Sequence, residues 1–245
     1  MVLYSLFLRG MMKHYQESNT HVWYDECLVT EPIESLFEIN YWRSCNAIVG
    51  NASGRGTTWF IKLQSTIAAL RHYHRGGLFG KIVRDQYLFL GLERTRSYAE
   101  FVLLQKLRSA GVNVPRPIAA KVEQIGLLYR ADLLSEKIPE ARDLVDKLQV
   151  ERLSTDDYQK IGIEIRKMHD VGVNHTDLNI HNILLDSEGK VWIIDFDKCK
   201  QQSGNQWKER NLNRLLRSFR KELGKRKIHW SEDDFESLML GYNQS

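Results

Sequence analysis

A chain of 245 residues, 42% of them hydrophobic and only four of them proline, has the core of one or two folded domains and excludes a disordered protein. Its three cysteines (Cys27, Cys45, Cys199) are odd in number and in no metal spacing, which excludes a disulfide scaffold and suits free thiols in a reducing compartment. A formal charge of +4 says little by its size and more by its distribution.

In chain order, the opening Met1–Leu8 is apolar but far too short to span a bilayer. It lacks the basic start and small-residue cleavage site of a signal peptide. Residues 1–20 read as a tail, and no later run approaches a transmembrane helix, so a soluble or peripheral protein is expected. Short β-type or apolar runs follow at Asn46–Val49, Thr57–Leu63 and Thr66–Leu70. Gly50–Gly56 joins the first two. A glycine turn between antiparallel strands lets backbone N–H groups approach a phosphate, and Gly54 and Gly56 are the candidates for that role. Trp59 stands where a third glycine of a G-x-G-x-x-G would be, so a plain hairpin turn stays open.

Arg71 ends the third run and is the first candidate for a cation that grips nucleotide phosphates; Lys81, ten residues later, is the second. Tyr98–Ala110 has the apolar periodicity of a helix, with Gly111 as its stop and Pro115 and Pro117 beyond. Glu100 near its start is placed to pair with that cation. Gly126–Leu134 reads as a strand running into a connector, and Ser154–His169 as a helix with Ser154 at its cap.

His175-Thr-Asp-Leu-Asn-Ile-His-Asn182 and Trp192-Ile-Ile-Asp-Phe-Asp197 carry the chemistry. Asp177 and Asn182 stand five apart, and Asp195 follows Asp177 by eighteen. The run Ile183–Leu185, a turn at Asp186–Gly189 and a returning run Val191–Ile194 form a hairpin that brings Asn182 back beside Asp195. Phosphotransferases of the kinase type use this layout: Asp177 as base for the acceptor hydroxyl, Asn182 and Asp195 as oxygen ligands for Mg²⁺ on the nucleotide phosphates. A structural hairpin with Asx turns is the plainer alternative.

Nine basic residues lie between Lys208 and Lys227, opposed by Glu209 and Glu222, with Leu212, Leu215, Leu216, Phe219 and Leu223 at helical spacing. This is a basic amphipathic helix. Its cations are either a solvated face over a core helix or a surface for anionic lipid; no recognition motif accompanies them, so nucleic acid is not expected.

With these pieces in order the chain resembles the lipopolysaccharide core kinases, a bacterial branch of the protein-kinase-like fold, and within them the kinases of 3-deoxy-D-manno-octulosonic acid (Kdo). The resemblance is carried by Gly54-Arg-Gly56, Ala69–Leu78 with its Leu-Arg-His-Tyr-His-Arg-Gly-Gly block, Arg96–Glu100, Val114–Pro117, Ala131–Leu134, the His175–Asn182 loop, Asp195–Lys198 and Asn211–Leu215. It implies an α+β, bilobal fold: an N-terminal antiparallel sheet lobe with one main helix (21–134) and a mainly helical C-terminal lobe (135–245). It implies transfer of phosphate from ATP, with Mg²⁺, to the 4-hydroxyl of a Kdo residue on a lipid A precursor, by a peripheral protein on the anionic cytoplasmic face of the bacterial inner membrane with no obligate protein partner. It carries over Asp177 as base, Asn182 and Asp195 as metal ligands, Glu100 on the helix and Arg71 as the cation. A kinase of heptose or of another small molecule, or a non-catalytic module of the same fold, remains open on the residues alone.

Overall fold

The computed structural model describes residues 12–53, 56–75 and 85–244. Gly54 and Lys81 lie outside the described residues, as does the apolar opening. The chain divides into two compact units, one of Met1–Val102 with Arg116–Lys137, the other of Leu103–Pro115 with Ile138–Ser245.

The first unit is built on an antiparallel sheet. Its strands are β1 (Met12–Glu17), β2 (Thr20–Asp25), β3 (Ile48–Ser53), β4 (Thr57–Lys62), β5 (Ile67–His72), β6 (Tyr87–Leu88), β7 (Pro117–Ile125) and β8 (Leu128–Glu136). The order across the sheet is β1-β2-β7-β8-β5-β4-β3, with β6 also on β8. A short helix, α1 (Ile39–Ser44), covers one face and buries Trp42, whose indole N–H donates to the Leu36 carbonyl at 2.9 Å. Val22, Leu36, Ile61, Leu63, Ala68, Ile118 and Leu134 fill the core beneath it.

Three features correct the sequence expectations. The stretch expected as a tail holds β1 and the start of β2; β1 has no apolar alternation of its own and becomes a strand by pairing with β2, where Val22 and Trp23 are buried. Most of the expected glycine turn is strand as well: Asn51, Ala52 and Ser53 pair with Trp59, Thr58 and Thr57, and Gly50 sits at a register shift, where a residue without Cβ accommodates a bulge. β7 was unexpected, because its Pro-Ile-Ala-Ala start is buried at all four positions and carries no alternation of polar and apolar residues. Pro117 opens it, a position where no ladder N–H is required.

The second unit is mainly helical. The helix α2 (Arg96–Ser109) enters it at Leu103. There follow β9 (Arg142–Asp143), α3 (Leu144–Leu148), α4 (Thr155–Asp170), β10 (Val173–Asn174), β11 (Ile183–Leu185), β12 (Val191–Ile193), β13 (Lys200–Gln201), α5 (Gln206–Arg226) and α6 (Glu232–Gln244). The expected cap is present: the Ser154 hydroxyl accepts from the Asp157 N–H and the Asp157 carboxylate accepts from the Ser154 N–H. Helices α4 and α6 cross at two buried glycines. A Cβ on Gly162 would run into the Leu238 carbonyl and the Tyr242 N–H, and one on Gly241 into the Gln159 carbonyl, so the backbones approach as closely as glycine alone permits.

Candidate active site

In the first unit β5 ends in Arg71 and His72, and Tyr73 follows them in the chain. Arg71 Nη2 lies 2.5 Å from Glu100 Oε2, and the Tyr73 hydroxyl donates to the same oxygen at 2.5 Å. Glu100, on the first turns of α2, is 5% exposed, so its charge is stabilised by these donors rather than by water. The Arg71 guanidinium lies over the Tyr73 ring and is fixed from two sides. An arginine braced in this way is held in one orientation, and a guanidinium is suited to phosphate oxygens.

His72 stands between two carboxylates, 2.6 Å from Asp132 and 3.3 Å from Asp85. Its bond to Asp132 holds the imidazole above its ordinary pKa, against the opposing effect of burial. Gly56 faces the His74 ring, which occupies the place a Cβ would take; close packing of His74 is thus a reason for glycine there.

In the second unit the loop between β10 and β11 folds on itself. The Asn182 amide donates to the Asp177 carbonyl at 3.0 Å, and the Asn179 amide to the same oxygen at 2.8 Å. The Ile194 N–H donates to the Asn182 carbonyl at 2.9 Å, which ties the residue before Asp195 to the one expected to share its cation. Asp195 has φ of 63°, the left-handed conformation that non-glycine residues adopt at a cost. Because Asn182 spends its N–H₂ on the loop, its carbonyl oxygen is left for a cation. Among the described residues no cluster of three or more His, Cys, Asp or Glu side chains forms a metal cage. One carboxylate and one amide oxygen suit Mg²⁺, which keeps waters and binds substrate phosphates.

Helix α5 does more than the sequence suggested. Asn211 is 4% exposed, and its Oδ1 accepts the His175 N–H at 3.1 Å while its amide donates to Asn174 at 2.8 Å. The Ser218 hydroxyl accepts the Ile180 N–H at 3.1 Å, and Arg214 Nη1 reaches Asp177 Oδ1 at 3.3 Å. Asn211, Arg214 and Ser218 are spaced three and four apart, so one face of the basic helix lies on the catalytic loop. Arg214 thus meets the loop as well as solvent, a contact that neither the solvated-face nor the lipid-surface reading of the helix included. Polar residues at helical spacing between buried Leu212, Leu215 and Phe219 were the legible signal for it.

Two buried histidines support the loop. His175 packs against Phe196 with the ring planes tilted by 59° and places Nε2 3.0 Å from the Ile194 carbonyl, its ring pKa lowered chiefly by burial. His169 is 1% exposed, 2.8 Å from the Tyr242 hydroxyl and 3.3 Å from Asn211 Oδ1; burial pushes it down from 6.5 to about 4. Between those values the unfolded chain takes a proton that the folded chain refuses. This stability is therefore complete above pH 6.5 and lost as pH falls toward 4, by about 3 kcal/mol. His175 acts in the same direction. The urea midpoint should fall steeply from pH 7 to 5, and less steeply in His169→Gln; equal slopes would remove His169 as the cause.

Comparison with known proteins bears on both units. The sequence pattern of the lipopolysaccharide kinase (Kdo/WaaP) family matches residues 39–242. A 3-deoxy-D-manno-octulosonic acid kinase of Vibrio parahaemolyticus serotype O3:K6 is 60% identical over 228 residues, 93% of this chain and 96% of that protein. One of Haemophilus influenzae (strain 86-028NP) is 45% identical over 241 residues, covering 95% of this chain and 100% of its own length. The solved structure described as WaaP in complex with acyl carrier protein superposes with a TM-score of 0.58 at 16% identity, covering 89% of this chain and 88% of that one. The likeness shows the fold, which is protein-kinase-like.

Proposed function

The chain belongs to the lipopolysaccharide kinase (Kdo/WaaP) family, and from that premise we propose that it transfers the γ-phosphoryl group of ATP to the 4-hydroxyl of a Kdo residue on a lipid A precursor. It is a kinase of the lipopolysaccharide core, a phosphotransferase acting on a hydroxyl group. The observation that most supports the finer reading is the folded loop, in which Asn182 and the Ile194 N–H hold the Asp177 and Asp195 segments together.

In this reading Asp177 accepts the proton as the sugar oxygen attacks the γ-phosphorus. The new O–P bond forms as the bond to the departing ADP oxygen breaks, and the proton stays on the carboxylate. Asn182 Oδ1 and the Asp195 carboxylate would hold Mg²⁺, which when bound neutralises the phosphate oxygens. Arg71, braced by Glu100 and Tyr73, grips the nucleotide phosphates; Gly54, Gly56 and Lys81 are further candidates for that role. Arg71→Ala should lower kcat/KM for ATP by about 10–100-fold, the loss of a charged hydrogen bond. A larger loss in Lys81→Ala would transfer the role to Lys81.

The membrane surface enters as a partner through α5. Arg217, Lys221 and Lys225 are exposed and in no ion pair among the described residues. No described helix is long and apolar enough to cross a membrane. Anionic lipid would attract these cations from the side, giving peripheral attachment at the inner face of the inner membrane.

The deciding experiment is mass transfer of one phosphate from ATP to Kdo-bearing lipid A precursor in anionic vesicles, with a heptosyl lipid as control. Transfer confined to the Kdo lipid, slowing as salt rises, is the expected result. Preference for the heptosyl lipid would overturn the acceptor, and a salt-independent rate the role of the membrane.

A further inference from the structure

We infer that Arg214 binds the carboxylate of the acidic acceptor sugar and, in doing so, releases Asp177 to the acceptor hydroxyl. The inference rests on the kinase reading above and names the residue that makes the site select an acid.

Arg214 is not needed to hold α5 in place, because Asn211 and Ser218 already fasten the helix to the loop by direct hydrogen bonds. Its own contact is weak. The Arg214 side chain is 48% exposed and that of Asp177 52%, and one nitrogen meets one oxygen at 3.3 Å. An exposed pair of this kind contributes little to stability, so it can be exchanged at little cost. The loop itself brings no cation to Asp177. Asn179 is turned back, donating to the Asp177 carbonyl and accepting from the His181 N–H. His181 is held between Asp143 at 3.2 Å and Glu222 at 3.5 Å. Among the described residues of this unit, Arg214 is the cation that meets the proposed base.

A guanidinium prefers two parallel bonds to a carboxylate over one. Asp177 gives it one. The acid for which the relatives are named carries a carboxylate, and a single ring carbon separates the carbon that bears it from the carbon of the 4-hydroxyl. A sugar with that hydroxyl facing Asp177 sets its carboxylate within reach of a side chain rooted beside the same aspartate. Binding of the acid moves Arg214 from Asp177 to the sugar. A neutral sugar leaves it on Asp177, where it competes with the hydroxyl for the carboxylate.

The test compares wild type, R214A and R214K on Kdo-bearing lipid A precursor and on its carboxyl methyl ester, with ATP varied separately. R214A should lose about 10–100-fold in kcat/KM for the acid, the size of a charge-assisted hydrogen bond, with KM for ATP unchanged. Wild type should lose a similar factor on the ester, R214A should lose nothing further there, and R214K should recover part of the rate on the acid alone. Equal losses of R214A on acid and ester would assign Arg214 to the transferring phosphoryl group and overturn the inference. Wild-type kinetics in R214A on the acid also overturns it, with the kinase reading intact. Absence of transfer by the wild-type enzyme overturns both.

Discussion

Asp177→Asn is expected to cut turnover by about 10²–10⁴-fold while ATP still binds, the usual contribution of a positioned base. The structure explains why this variant isolates the chemistry. The loop is held through the Asp177 main-chain carbonyl, which accepts from Asn179 and Asn182, and the substitution leaves it untouched. The amide oxygen of an asparagine can still accept from Arg214. What is lost is the capacity to take a proton. A variant that keeps more than about a tenth of the wild-type rate would show that another group is the base.

Asp195→Ala should reduce activity as severely and raise the Mg²⁺ concentration needed for half-maximal rate, because a carboxylate ligand is removed. The backbone adds a second effect here. With φ of 63°, alanine at this position costs about 1–2 kcal/mol, whereas asparagine tolerates the left-handed region. Asp195→Asn should therefore share the loss of activity and the altered magnesium titration but keep wild-type thermal stability. If the titration is unchanged in both variants, Asp195 is not on the metal.

The catalytic loop and hairpin were legible because their residues are close in sequence and their chemistry depends on spacing: Asp177, Asn182 and the β11–β12 turn need no distant partner to be recognised. The capped helix α4 was legible for the same reason, from Ser154 and Asp157. β1 and β7 were not, since each becomes a strand by pairing with β2, and β7 also with β8, and neither carries strand-type alternation. The pairing of Arg71 with Glu100 was anticipated from their places at the end of an apolar run and the start of a helix, but Tyr73 as a second donor to Glu100 was not, because nothing in a tyrosine just past a strand marks its hydroxyl for a helix carboxylate. The role of α5 was half legible. Its amphipathic pattern predicted a helix, while its charge count drew attention to lipid and away from Asn211, Arg214 and Ser218, whose partners lie 36 to 38 residues earlier in the chain.

The paired glycines of α4 and α6 impose an order on the making of the enzyme. Gly162 is translated 79 residues before Gly241 (241 − 162). At about 5–20 residues per second, α4 waits about 4–16 s for the helix cut to lie against it. By then every group from Asp177 to Arg214 has been polymerised, yet His169 still lacks the Tyr242 hydroxyl and the second unit is open along one side. The nascent chain thus carries all its chemistry before it can hold that chemistry still. Chains stalled on the ribosome before Leu238 should be inactive, and phosphate transfer should begin only when the last helix has cleared the exit tunnel.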